Sequence, residues 1–198
     1  MAHSLILQYP VSIRRALTAR LLAWISRLEK AASHSEPAAL TRQAERLFEV
    51  YGGSILRLAY SYLHNMEDAE DVLQDTLIQY LRFGPLLPGP EQEKAWLLKV
   101  AANLSKNRLR SAKRHPADQL EEGLIADHRE DLRFIWEAVK QLPEPYRAVI
   151  HLYYYEGYAA NEIAAILQRR ESTIRSYLKR GRARLKAILK EAYDFGEI

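Results

Sequence analysis

Apolar residues recur at steps of three and four positions along most of this 198-residue chain, and no long stretch alternates apolar with polar residues. Such steps place apolar side chains on one face of an α-helix, whereas a half-buried strand requires alternation. The shared face of residues 11–32, for example, consists of Ile13, Leu17, Leu21, Trp24 and Leu28. The pattern predicts an all-α protein built from amphipathic helices.

Proline, glycine and polar clusters divide this helical pattern into segments. The stretch "RFGPLLPGP" holds two glycines and three prolines and cannot continue a helix. Further breaks are expected at "YGGS", "HNMED", "LPEP", "YEGY" and "QRR", and the polar "KRHPADQLEEGLIADHRE" loses periodicity. We predict an N-terminal extension with an amphipathic helix (1–40), a small helical domain (41–114), a flexible linker (115–131) and a second small helical domain (132–193).

Composition excludes several classes of protein. With 48% hydrophobic and 27% charged residues, the chain is typical of a folded globular protein. It has no cysteine, and its six histidines form no pair at metal-ligand spacing, so we expect no disulfide, no metal site and no cofactor. The N-terminal apolar run "LLAWI" is far shorter than the roughly 20 residues of a membrane span. We therefore predict a cytoplasmic protein.

Charge is segregated along the chain. Residues 64–93 contain seven acids against Arg82 alone, and residues 94–114 contain seven bases and no acid. Residues 169–190 contain nine bases against Glu171. A merely solvated helix normally mixes both signs, so the two basic segments indicate an acidic partner.

Residues 158–185 match the pattern of a helix-turn-helix. Ile163 and Leu167 form one apolar stripe, a short polar turn follows, and Ile174, Leu178 and Leu185 form a second stripe. Two short helices joined by a tight turn, the second of them basic, are typical of DNA-binding proteins. A basic helix that is merely solvated stays open as an alternative.

The outward face of the second helix is predicted from about 100° of rotation per residue. Its residues are Ser172, Arg175, Ser176, Lys179, Arg182 and Lys186, with Arg180 and Arg184 at the flank. Long cations can bind phosphates or guanine edges, and serines can bind phosphates. This face is therefore chemically suited to a DNA groove.

Two separate parts of the chain resemble bacterial RNA polymerase sigma factors of the extracytoplasmic-function group. "LPEPYRAVIHLYYYEGYAANEIAAIL" followed by "ESTIRSYLKRGRARLKAIL" resembles sigma domain 4. Upstream, "AERLFEVYGGSILRLAYSYLHNMEDAEDVLQDTLIQYL" and "EKAWLLKVAANLSKNRLRSAKR" resemble sigma domain 2. The similarity spans about residues 41–192, with both signatures in the family's order.

The resemblance implies a transcription initiation factor without catalytic residues or a small-molecule substrate. The family's contact with core RNA polymerase falls on Asp71, Gln74, Asp75 and Ile78. Its promoter −10 contact falls on Asn103, Lys106, Asn107, Arg110, Lys113 and Arg114, with Arg108 as a further base that can neutralise phosphate. Its −35 contact falls on Ser172, Arg175, Ser176, Lys179, Arg180, Arg182 and Lys186.

Core RNA polymerase and promoter DNA are the expected partners, and an anti-sigma factor is a further candidate. Two alternatives are a helix-turn-helix regulator that acts without polymerase and an all-helical adaptor of the anti-sigma kind. The second signature in residues 64–114 argues against the first.

Residues 1–40 lie outside the resemblance. We favour their packing against the rest of the protein over a membrane surface, a regulator or a start codon assigned too far upstream.

Overall fold

The computed structural model describes residues 37–114 and 133–192, and all regular structure within these ranges is helical. The first helical unit contains α1 (Pro37–Leu63), α2 (Met66–Phe83) and α3 (Pro90–Arg114). The second contains α4 (Arg133–Lys140), α5 (Glu144–Ile150), a π-helical turn (His151–Tyr155), α6 (Ala160–Leu167) and α7 (Glu171–Ala192). The all-α prediction is confirmed. The amphipathic helix predicted in residues 11–32 and the predicted linker 115–131 lie outside the described residues.

Most of the predicted breaks are present. "RFGPLLPGP" separates α2 from α3, and "LPEP", "YEGY" and "QRR" each fall at the end of a helix. The break predicted at "YGGS" is wrong, because α1 continues through it and all four residues are buried. Each helical glycine costs about 1 kcal/mol relative to alanine. Packing of the buried face outweighs that local cost.

A polar network fixes the start of α3 against α1 and α2. Both Glu93 carboxylate oxygens accept hydrogen bonds from Arg46, at 2.7 and 2.9 Å, and Oε1 also accepts one from Tyr80 at 2.6 Å. These bonds, from Arg46 above all, lower the pKa of Glu93 to about 2. The carboxylate is therefore ionised near neutral pH and holds three helices in register.

The two units share an apolar core. Leu58 and Tyr62 of α1 and Leu98 of α3 belong to one cluster of buried residues with Leu152 and Ile163 of the second unit. Each of these side chains is at most 1% exposed. The first unit also has a core of its own, which includes Leu47, Ile55, Leu73, Leu77 and Leu97.

Candidate nucleic-acid and partner interfaces

A three-residue turn sets the direction of α7 relative to α6. Gln168 adopts a left-handed conformation with φ 53° and ψ 51°. The next backbone N–H, of Arg169, donates to the carbonyl of Ala164 at 2.9 Å. Hydrogen bonds of this kind satisfy the last carbonyls of a helix and reverse the chain. The predicted turn is confirmed, with glutamine in a conformation that glycine adopts most readily.

The buried and exposed faces of α7 agree with the predicted faces. Ile174 is fully buried, Leu178 is 6% exposed, and Gly181 is buried against α5. The exposed residues of the predicted −35 set are Ser172, Arg175, Lys179, Arg180, Arg182 and Lys186, and Ser176 is partly buried. The helix thus presents cations and a hydroxyl to solvent over a fixed apolar seam.

Arg175 is oriented by an ion pair within α7. Its Nε lies 2.8 Å from Oε1 of Glu171, one helical turn earlier. The two side chains are 71% and 42% exposed. Exposed pairs of this type contribute about 0–1 kcal/mol, so a phosphate or a base edge can displace Glu171 at little cost.

The acidic face of α2 is bridged by a cation from α3. Arg108 lies 3.0 Å from Asp68, 3.2 Å from Asp71 and 3.5 Å from Asp75. Asn65 caps the helix by accepting the N–H of Asp68 at 2.9 Å. Arg108 therefore pairs with carboxylates of its own chain. This contact corrects the expectation that Arg108 neutralises a DNA phosphate.

The remaining residues of the predicted polymerase contact also lie on α2. Ile78 is partly buried, and Gln74 has a buried amide nitrogen with no hydrogen-bond partner among the described residues. Asp71 and Asp75 keep 30% and 49% of their side chains exposed. The two carboxylates are thus the accessible part of this face.

The predicted −10 residues divide into two groups on α3. Asn107 and Arg110 are exposed. Asn103 donates to Oε1 of Gln168 at 3.3 Å, and Lys106 is partly buried, with Nζ 5.9 Å from the ring centre of Tyr62. Burial lowers the pKa of Lys106. The side chains of Lys113 and Arg114 lie outside the described residues.

Sequence reasoning missed the ionic cluster around Glu156. This carboxylate lies within 3.5 Å of Arg57 and Lys94, which belong to the other unit. No local pattern reveals a contact between residues so far apart in the chain.

The inward position of Arg108, in contrast, follows from its spacing along α3. Arg108 follows the buried Ala101 by seven positions and the buried Ser105 by three, and so lies on their face of the helix.

Two further observations concern the described residues. None of their helices is long and apolar enough to cross a membrane. Within the same ranges, no three histidine or acidic side chains come together as a metal site would require.

Two family signatures match this chain. The family described as "Sigma-70 region 2" matches residues 47–115, and "Sigma-70, region 4" matches residues 133–185. The first includes the acidic face of α2 and the basic α3. The second includes the helix-turn-helix of α6 and α7.

Known proteins agree with these matches. The ECF RNA polymerase sigma factor SigM of Mycobacterium tuberculosis is 30% identical over 149 residues, which cover 73% of this chain and 76% of that protein. The RNA polymerase sigma factor SigV of Bacillus subtilis is 32% identical over 129 residues, which cover 63% and 77%.

Solved structures share the fold. In the complex of RpoE with the anti-sigma factor NepR from Bartonella quintana, the matching chain gives a TM-score of 0.60 at 24% identity and covers 74% of this chain and 96% of its own length. The complex of CnrH with the cytosolic domain of CnrY gives 0.54 at 22% identity, with 91% and 99% covered. The fold agrees with the two signatures and the relatives, and these show that the chain belongs to the sigma-70 family as an RNA polymerase sigma factor of the extracytoplasmic-function group.

Proposed function

We propose that this sigma factor contacts core RNA polymerase through α2 and promoter DNA through α3 and α7, and that it has no catalytic role of its own. The observation that carries the proposal is the outward face of α7, where exposed cations and a hydroxyl lie over a buried apolar seam. A helix of this kind fits the major groove of B-DNA.

At the −35 element, α7 lies in the major groove. Arg175 is placed at the N-terminal end of the helix, where recognition helices contact base edges. Lys179, Arg182 and Lys186 follow along the exposed face and contact phosphates. Each neutralised phosphate adds about 0.9 to the slope of log affinity against log salt concentration.

At the −10 element, α3 supplies amides and cations. Asn103 and Asn107 bond to base edges, and Lys106, Arg110, Lys113 and Arg114 neutralise phosphates. Melting needs no covalent step, because capture of extruded bases offsets the cost of unstacking them.

Core polymerase binds the carboxylates of Asp71 and Asp75, beside Ile78 and Gln74. Arg108 already bridges these carboxylates, so a cation of the polymerase must share them with Arg108.

The polymerase is cytoplasmic in bacteria, and we place the sigma factor there too. An anti-sigma factor is a proposed partner, since the similar RpoE structure is a complex with the anti-sigma factor NepR.

Run-off transcription with core polymerase and a library of promoters from the source organism tests these assignments. We expect Asp71→Lys to lower the affinity for core at least about tenfold and to abolish transcripts, because it reverses a charge that meets a cation. The matched control Glu67→Lys changes an exposed acid on the same helix and leaves core affinity nearly unchanged.

For the −35 contact, Arg175→Ala weakens promoter binding by about 1–3 kcal/mol without affecting core affinity. Arg184→Ala is its control, since Arg184 lies on the flank with its guanidinium 5.5 Å from the ring centre of Tyr146. Equal effects of the two arginine substitutions on promoter selection would refute the groove-facing assignment.

A further inference from the structure

Glu171 occupies one edge of the Arg175 guanidinium. Nε and Nη2 of Arg175 both donate to Oε1 of Glu171, and the Nε contact measures 2.8 Å. These two nitrogens form the side-on edge of the planar guanidinium fork. The end-on edge, formed by Nη1 and Nη2, keeps a parallel pair of N–H groups that the ion pair does not use. The structure therefore divides the donors of Arg175 between Glu171 and a second ligand.

The second ligand can approach Arg175 from solvent. The side chain of Arg175 is 71% exposed and that of Glu171 is 42% exposed. Ser172 and Lys179, which precede and follow Arg175 on the same helix, are exposed as well. Ile174 is fully buried and fixes the rotation of α7 about its axis. The ion pair thus lies on the face of α7 that the proposed function places in the major groove.

Guanine fits the end-on edge of Arg175. Its N7 and O6 are neighbouring acceptors in the major groove, and an arginine fork binds both of them together. Such a contact uses only the donors that Glu171 leaves available. The ion pair with Glu171 therefore stays intact while Arg175 binds the base.

A phosphate gains less than guanine from the paired Arg175. A phosphate at the side-on edge must displace Glu171, which costs little in the free protein because the exposed pair is weak. In the complex, however, the displaced carboxylate lies beside the anion that replaced it, and like charges repel. A phosphate at the end-on edge meets an arginine whose charge Glu171 already neutralises. Guanine has no net charge, so Glu171 weakens phosphate contacts selectively.

We propose that Glu171 is a positioning residue that makes Arg175 a reader of guanine and not a phosphate contact, and that it thereby sets the base preference at one position of the −35 element. This role rests on the proposed function, because it requires α7 to enter the major groove. Glu171 itself need not touch the DNA. It acts by holding the side-on edge of Arg175.

Stabilisation of the helix is the alternative role for Glu171. The residue stands in the first turn of α7, where an acid is favoured by the partial positive charge of the helix N-terminus. A role confined to helix stability would affect binding to every DNA sequence alike. Only the positioning role changes the preference for one base at one position, so base preference is the quantity to measure.

Binding-site selection with the full chain bound to core polymerase measures this preference. The probe is a library of promoter duplexes randomised over the −35 element, and the bound fraction is sequenced. Arg175→Ala should abolish a guanine preference at one position. Glu171→Gln should lower the preference at that same position about fivefold, the lower end of what a bidentate base contact contributes. On a non-promoter duplex, Glu171→Gln should raise the salt slope by about 0.9, because Arg175 then neutralises a phosphate.

Two controls separate positioning from charge. Glu191→Gln removes the same charge from an exposed site near the other end of α7 and should change neither base preference nor salt slope. Arg175→Lys keeps the cation but has no fork to position. Adding Glu171→Gln to Arg175→Lys should therefore cause no further loss of base preference.

The outcomes distinguish the positioning role from the −35 contact itself. If Glu171→Gln kept the guanine preference that Arg175→Ala loses, the positioning role would be overturned and the −35 contact would stand. A loss of preference spread over every position in Glu171→Gln would indicate helix stabilisation and would also overturn the positioning role. If Arg175→Ala itself kept every base preference, both the positioning role and the proposed contact of Arg175 with a base edge would be refuted.

Discussion

At the scale of single residues, Arg108 illustrates how position outweighs residue type. Charge alone groups it with Lys106 and Arg110 as a residue for DNA. In the folded chain it contacts the carboxylates of α2 within 3.5 Å, while Arg110 is exposed. The seven-residue step from Ala101 already places Arg108 on the buried side of α3. The sequence therefore contained the signal, although residue type obscured it.

Arg108 and Arg110 should separate stability from DNA binding. We expect Arg108→Gln to lower the free energy of unfolding by about 0.5–1 kcal/mol, because three partly exposed carboxylates lose their shared cation. Arg110→Gln should leave stability unchanged and lower the salt slope of −10 DNA binding by about 0.9, because one phosphate contact is lost. Urea denaturation and binding titrations at several salt concentrations measure the two quantities. If Arg108→Gln lowered the salt slope as much as Arg110→Gln, the result would show that Arg108 also contacts DNA.

At the scale of elements, helix faces could be predicted and one helix boundary could not. The periodicity of α7 predicts an apolar seam through Ile174 and Leu178. Both side chains are buried in the structure, as that periodicity requires. The continuity of α1 through "YGGS" depends on the burial of those four residues. Local helix propensity cannot predict that burial. The left-handed conformation of Gln168 likewise depends on its surroundings and not on its residue type, because the surrounding turn offsets its strain.

Gly181 should be the least replaceable position of the α7 seam. A Cβ at this site would lie 3.2 Å from Ile150 and 3.3 Å from Tyr146 of α5, closer than ordinary van der Waals contact. We expect Gly181→Val to lower the free energy of unfolding by about 1–3 kcal/mol more than Ala183→Val, because overpacking displaces α5. Ala183 is exposed on the same helix and controls for the helix propensity of valine. Equal losses in thermal or urea denaturation would show that α5 and α7 can move apart without cost.

At the scale of the whole molecule, the chain combines three candidate surfaces with an internal interface. The fold class and the motifs were accessible from sequence, because helical periodicity and the two sigma signatures are local patterns. The interface was not, because Ser54 and Glu156 are 102 positions apart and only the tertiary fold brings them together.

The most direct test of the account is reconstitution with core polymerase. The purified chain should co-elute with bacterial core RNA polymerase and direct specific run-off transcripts from promoters of its source organism. Transcription should fall steeply as salt rises, because promoter affinity depends on several phosphate contacts. Failure to co-elute with core, together with retained sequence-specific DNA binding, would contradict the assignment of α2 as the polymerase contact and favour a helix-turn-helix regulator that acts alone.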